Sequence, residues 1–273
     1  MLVPRASTPN RIVCLTEEPV ETLYLLGAED RIVGVSGFTV RPKEARKKPK
    51  VSLFTSASYD RIRALEPDLV IGFSDLQADI ARELVRLGVP VVIFNQRSVS
   101  EILSTILATG NLVGKTKEAE ALVARLEANL EETVRAAASL PARPRVFFEE
   151  WNEPLIAGIR WVEELIELAG GEPIFPELRN AGLAKERIVS PDEVVRRAPD
   201  LILASWCGRK VQKPKIRERP GFSTIPAVVN DRIHEIPSSQ ILQPGPAALT
   251  DGLAAIRRHV EAAARALGRT PRP

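Results

Sequence analysis

Tyr59-Asp60-Arg61-Ile62-Arg63-Ala64-Leu65-Glu66-Pro67-Asp68-Leu69-Val70-Ile71-Gly72 returns 132 residues later as Pro191-Asp192-Glu193-Val194-Val195-Arg196-Arg197-Ala198-Pro199-Asp200-Leu201-Ile202-Leu203-Ala204. In each copy an acid stands seven residues ahead of a Pro-Asp pair, and the pair leads into a short apolar run. Proline cannot continue a helix and disfavours helical backbone in the residue before it, so each copy reads as helix, break and buried strand. A chain that carries this pattern twice holds two similar α/β lobes, with Asp60 and Asp192 at equivalent places on them.

The ground around the repeats fits that division. Ile12 to Leu15 reads as a strand. Pro19 to Leu26 reads as a helix with proline early and Gly27 at its end. Strands follow over Arg31–Val35, Asp68–Phe73 and Pro90–Phe94. Ile80, Leu84, Val85 and Leu87 form a helix between the last two, and Gly88 stops it. From Lys115 to Leu140, Ala119, Leu122, Val123, Leu126, Leu130 and Val134 recur at three- and four-residue steps among charges, the signature of one long amphipathic helix of about 38 Å. Pro141 and Pro144 end it. Arg145–Glu149 and Leu201–Ser205 are further strands, as is Arg232–Ile236. Trp161–Leu168, Pro191–Arg197 and Leu249–Leu267 are helices, and Gly208–Gly221 reads as a loop. The expected architecture is two Rossmann-like lobes with parallel sheets, 10–114 and 142–273, joined by one rigid helix over 115–141.

Composition closes off several function classes. The 273 residues are 44% hydrophobic, enough for two modest cores. A net charge of +3 is small against 38 basic and 35 acidic side chains, and no nucleic-acid-reading motif is present. Two cysteines, Cys14 and Cys207, and two histidines, His234 and His259, make neither a disulfide framework nor a zinc knuckle. Buried thiols are usually inert, although both cysteines fall near strand ends, where they would face a ligand. No stretch approaches the roughly 20 apolar residues of a membrane span, and Met1–Asn10 lacks the apolar core of a signal peptide. The protein is therefore expected outside the cytoplasm if a leader has been removed, and in the cytoplasm otherwise. No P-loop, nucleophile elbow or dinucleotide fingerprint is present, so an enzyme is not expected.

Ile12-Val13-Cys14-Leu15-Thr16, Leu26-Gly27-Ala28, Ile32-Val33-Gly34-Val35-Ser36, the Asp60 and Asp192 repeats and Leu168-Ala169-Gly170-Gly171 together resemble the ABC-importer substrate-binding proteins with a helical backbone. Within that class the resemblance is to the vitamin B12-binding proteins, and it runs from Arg11 to about Ala263. It implies a monomeric receptor that holds a corrinoid of the cobalamin type in the cleft between lobes and hands it to a permease with its ATPase, with no catalytic cofactor. One acid per lobe would dock to permease arginines. Those positions fall on Asp60 and Asp192, aspartates where the family commonly has glutamate. The corrinoid would be lined by rings at strand ends or helix starts, Phe38, Phe54 and Phe73 on the first lobe and Trp151, Trp161 and Trp206 on the second. Flat rings on facing walls suit a large planar macrocycle.

Glu150, in Glu149-Glu150-Trp151-Asn152-Glu153, follows a buried strand and is placed to accept hydrogen bonds from ligand amides. Gln243, in the rigid Gln243-Pro244-Gly245-Pro246 turn, is a further ligand candidate. Basic runs at Arg41–Lys50 and Arg209–Arg219, each with six Lys or Arg, would attract an anionic ligand if they border the cleft. Ferric siderophores and haem are the alternatives within the class. Haem would call on Tyr24, Tyr59, His234 or His259, none at an obvious strand end. A cytoplasmic corrinoid carrier and a tetrapyrrole or metal enzyme are the alternatives outside it.

Overall fold

The computed structural model describes residues 7–268, so residues 269–273 of the expected second lobe lie outside the described residues. The described chain divides into two units, the first holding residues 7–96 and 100–125 and the second residues 97–99 and 126–268.

The first unit begins with β1 (Ile12–Cys14), α1 (Glu18–Leu25), β2 (Ile32–Ser36) and β3 (Lys50–Leu53). It continues with β4 (Ser56–Ala57), α2 (Tyr59–Ala64), β5 (Leu69–Phe73), α3 (Ala78–Arg86), β6 (Val91–Phe94) and α4 (Val99–Leu112). Its sheet has the order β4-β3-β2-β1-β5-β6, all neighbours parallel except the β3–β4 edge pair. Side chains alternate across a strand, and here both faces are covered. Ile12 and Cys14 join Leu69 and Ile71 in a cluster with Val20 and Leu23 of α1, while Val13 and Leu15 join Val70 on the other face with Ile62, Ile80 and Leu84. That is why β1 and β5 read as continuous apolar runs.

α5 (Thr116–Ala137) starts in the first unit and ends in the second. Its 22 residues span about 33 Å. Ala119, Leu122, Val123 and Leu126 are buried as the periodicity predicts. Farther along, Thr133 is the buried residue and Val134 is 45% exposed, a departure from the expected stripe.

The second unit contains β7 (Arg145–Asn152), β8 (Leu155–Ala157), α6 (Arg160–Leu168), β9 (Glu172–Pro173), α7 (Pro191–Arg197) and β10 (Leu201–Ala204). It ends with α8 (Lys213–Arg217), α9 (Pro226–Val229), β11 (Ile233–Glu235), α10 (Ser238–Ile241) and α11 (Leu253–Gly268). The sheet order is β11-β10-β7-β8, with β8 antiparallel and β9 pairing the start of β7. α8 corrects the expectation of a loop over Gly208–Gly221: Ile216 is fully buried, and a single apolar residue inside a basic run hides that face.

The repeat is structural down to single hydrogen bonds. After α2, Glu66 takes a left-handed φ of +46°, and after α7, Ala198 takes +43°. The aspartate that follows each proline clamps the chain entering the neighbouring strand. Asp68 carboxylate oxygens accept from the Asn10 and Arg11 amides at 2.7 and 2.8 Å, and Asp200 Oδ2 accepts from the Arg145 amide at 2.9 Å. In return the Arg11 guanidinium donates to Leu65 O and that of Arg145 to Arg197 O, each the last or next-to-last carbonyl before the left-handed turn. A buried strand entry leaves backbone amides to satisfy, and the Pro-Asp pair meets this in the same way in both units, with one further amide held in the first.

Candidate functional site

In an open α/β sheet a ligand sits beyond the carboxyl ends of the strands, where the strand order reverses. That switch point lies between β1 and β5 in the first unit and between β7 and β10 in the second. The residues at those ends are Leu15–Glu18 with Phe73–Ser74, and Glu149–Trp151 in the last half of β7 with Ser205–Trp206 after β10.

At the first mouth the geometry is organised by a residue that sequence reading missed. Gln77 is fully buried; its Oε1 accepts from the Phe73 amide at 3.1 Å and its Nε2 donates to Phe54 O at 2.8 Å. It therefore ties the loop after β3 to the end of β5, and the Phe54 and Phe73 rings lie 6.4 Å apart. Gly72 makes the arrangement possible, since a Cβ there would stand 2.3 Å from Gln77 Oε1. Ser74 follows with a φ of +84°, a conformation that non-glycine residues adopt at a cost of about 1–3 kcal/mol and that concentrates at ligand sites. Phe38 is half exposed, Phe54 partly so, and Phe73 is buried.

The same mouth holds acids that make no ion pair among the described residues. Glu18 is buried, and its Oε1 accepts from Thr16 Oγ1 at 2.6 Å, while its Oε2, together with Thr39 Oγ1 and Lys50 Nζ, is buried without a hydrogen-bond partner. Burial pushes the Glu18 carboxyl up to about 7. Burial and then the neighbouring Glu18 push Glu17 up to about 8. Burial also lowers Lys50. Desolvation thus favours the protonated form of both carboxyls, Glu17 more than Glu18.

The second mouth handles its acids differently. Glu149 is fully buried and takes Arg219 in a bidentate pair at 2.6 and 2.8 Å, with Trp206 Nε1 donating to its Oε1 at 3.0 Å. Glu150 takes Arg187 at 2.5 and 2.9 Å, and Arg187 also donates to Ala157 O. Beneath them Glu163 is raised to about 8 by burial, against the lowering effect of Arg187. The fork of a guanidinium matches a carboxylate, so both pairs lock β7 to distant loops.

Several nominated residues are thereby reassigned. Trp206 and Trp161 are each 3% exposed: Trp206 sits in the core cluster of the second unit, and Trp161 donates its indole N–H to Ile241 O at 2.8 Å. Neither ring has surface left for a ligand. The strand-end place of Trp206 and the helix-start place of Trp161 were legible, but the faces were not. Glu150 accepts from Arg187 rather than standing open. Trp151 is half-buried, its indole N–H donating to Glu153 O at 2.9 Å, and Arg209 lies over its ring at 5.3 Å. Gln243 is half-buried, and its side chain makes no hydrogen bond among the described residues. Cys14 is buried in the core, where burial pushes its thiol far up, and Cys207 is exposed in the turn after β10. His234 and His259 stack on each other at 4.0 Å, between β11 and α11, with burial lowering both.

Asp60 and Asp192 are both exposed, each the second residue of its helix, and neither carboxylate has a hydrogen bond or ion pair among the described residues. A groove of about 460 Å³ lies elsewhere on the second unit, lined by Asn129, Thr133, Leu253, Arg257, Arg258 and Glu261 among others. None of the nominated residues lines it. Among the described residues, no group of three or more His, Cys, Asp or Glu side chains is gathered to hold a metal, and no helix is long and apolar enough to cross a membrane.

Two α/β units, each with a switch point, sharing one long helix, define the fold of a bilobal binding protein. Residues 12–240 match the model of the periplasmic binding protein family, and the chain belongs to that family. The vitamin B12-binding protein of Vibrio campbellii is 27% identical over 240 residues, 86% of this chain and 84% of that one. An ABC transporter substrate-binding lipoprotein of Bacillus subtilis is 26% identical over 252 residues, covering 87% and 76%. Among solved structures, the vitamin B12-binding protein of Vibrio cholerae superposes with a TM-score of 0.76 at 22% identity, covering 94% of this chain and 99% of that one. A haem-binding protein from Roseiflexus gives 0.79 at 24%, covering 93% and 100%. These superpositions establish the two-lobed α/β fold.

Proposed function

We propose that this chain is the substrate-binding protein of an ABC importer, acting as a monomer outside the cytoplasmic membrane, and that its ligand is a corrinoid of the cobalamin type. The observation that carries the reading is the placement of accessible rings. Phe38 and Phe54 on the first unit and Trp151 on the second are the nominated aromatics that keep open surface, and all three stand at strand ends. Rings of this size bury on the order of 150–250 Å² each against a flat macrocycle. The similarity to vitamin B12-binding proteins over most of the chain supports the same ligand class. Gln243, with a side-chain amide making no hydrogen bond among the described residues, adds a donor and an acceptor suited to corrin amides.

Asp60 and Asp192 are the docking points for the permease. Two unpartnered carboxylates at equivalent places on the two units give orientation and encounter rate more than affinity. The chain performs no chemistry on the ligand in this reading.

Mixing the purified protein with cobalamin, haemin and ferric siderophores, then recording the absorption spectrum of the protein fraction after gel filtration, tests the ligand class. Cobalamin is expected to co-elute, with a dissociation constant below the micromolar range. Failure of any corrinoid to bind at that level overturns the reading, and selective retention of haemin or a siderophore replaces it.

A further inference from the structure

Arginines at the second mouth are built into pairs, with one exception. Arg187 and Arg219 are each forked onto a glutamate, and Arg217 of the same basic run pairs with Asp231. Arg209 has no carboxylate partner among the described residues. Its guanidinium instead lies over the Trp151 ring, 5.3 Å from the centroid. A guanidinium over an indole face is held by the ring's charge distribution without using its N–H donors, and no hydrogen bond from the Arg209 side chain is found among the described residues.

The position is prepared from below. Trp206 is anchored in the core with its indole on Glu149, the same carboxylate that Arg219 grips. Three residues later the chain turns back on itself: Arg209 bridges Trp206, its amide donating to Trp206 O at 3.0 Å. Gly208 supplies the left-handed φ of +67° that this turn requires and donates to Ser238 Oγ at 3.3 Å. The Arg219–Glu149–Trp206 chain thus fixes the backbone of Arg209, and Trp151 fixes its head. Trp151 is the next-to-last residue of β7 and Arg209 lies past the carboxyl end of β10, so the pair stands at the carboxyl side of the switch point.

We infer that Arg209, held over Trp151, is a specificity-determining residue that reads an oxyanion on the transported ligand. This rests on the corrinoid reading above, within which the oxyanion has two sources: the phosphodiester of a cobalamin nucleotide loop, or a ring carboxylate of an incompletely amidated corrinoid. A pre-organised cation with unspent donors binds an anionic group with little ordering cost, and one charge-assisted contact is worth about ten- to a hundredfold in affinity.

The test is a set of equilibrium titrations of wild type and Arg209→Gln with cobalamin, with cobinamide, which has the same ring but no phosphate, and with cobyrinic acid, which carries carboxylates. Arg209 is exposed and outside the core, so an unchanged melting temperature checks that the variant is folded. Arg209→Gln is expected to weaken cobalamin about ten- to a hundredfold and leave cobinamide unchanged if the phosphodiester is read. It weakens cobyrinic acid by that factor and leaves the other two unchanged if a carboxylate is read. Trp151→Phe keeps a ring under the cation and should retain most of the selectivity. Equal effects on all three ligands, or no effect on any, overturn the inference while leaving the corrinoid reading intact. Failure of all three to bind wild type overturns the corrinoid reading and this inference with it.

Discussion

The two sheet mouths occupy equivalent places and treat buried acids in opposite ways. At the first, buried Glu18, beside Thr16, and half-buried Glu17 have no arginine partner among the described residues, and desolvation favours their protonated forms. At the second, Glu149 and Glu150 are forked by Arg219 and Arg187. Both units inherit the same helix, left-handed turn, Pro-Asp clamp and strand, so the frame does not explain the difference. It teaches that the repeat sets where side chains emerge, and that the residues leaving the strands set each mouth's charge.

The largest effect should come from breaking the paired mouth. Arg219→Ala leaves the fully buried Glu149 without its cation and is expected to cost about 3–5 kcal/mol in urea unfolding. Replacing both partners with leucine should recover most of that loss, because the desolvation cost disappears with the charges. A smaller effect is expected at the first mouth from Gly72→Ala, whose Cβ would press on Gln77 Oε1 and on Ile93 Cδ1, 2.7 Å away. Overpacking of this kind costs about 1–3 kcal/mol, and loosening the Phe54 loop should weaken ligand binding as well.

The unpaired mouth should announce itself in the pH dependence. Glu18 has a folded pKa of about 7 against an ordinary 4.5, so the fold binds its proton more tightly than the unfolded chain does. The contribution is fully present below pH 4.5 and is lost as pH rises through about 7. Glu18→Gln removes that loss, so its stability relative to wild type should rise between pH 5 and pH 8 in parallel melts. A flat difference across that range would show the acid is not held as described. The smallest stability change belongs to Asp60→Asn and Asp192→Asn, exposed and unpartnered, at within about 0.5 kcal/mol. Their ligand affinity should match wild type, while uptake through the reconstituted permease should be lost.

Much of the frame was legible because it rests on local patterns. The Pro-Asp repeat placed α2, α7, β5 and β10, and the three- and four-residue spacing placed α5. α4 escaped notice because Val99, Ile102, Thr105, Ile106 and Thr109 are β-branched and blunt the helical signal. The sites were harder. Gln77 joins Phe73 to Phe54 across 23 residues, and Arg219 reaches Glu149 across 70. Neither contact leaves a trace in spacing. Strand-end or helix-start position likewise named Trp206 and Trp161 alongside Trp151, yet such a position has an inward and an outward face, and Trp206 and Trp161 turn inward.

That division of rings supports the most direct measurement of the ligand reading: hydroxyl-radical footprinting of the protein with and without cobalamin, read residue by residue by mass spectrometry. Phe38, Phe54 and Trp151 should be oxidised in the free protein and protected together by cobalamin, with Trp161 and Trp206 unreactive in both states. Saturating cobalamin that leaves all three rings as reactive as before would contradict it.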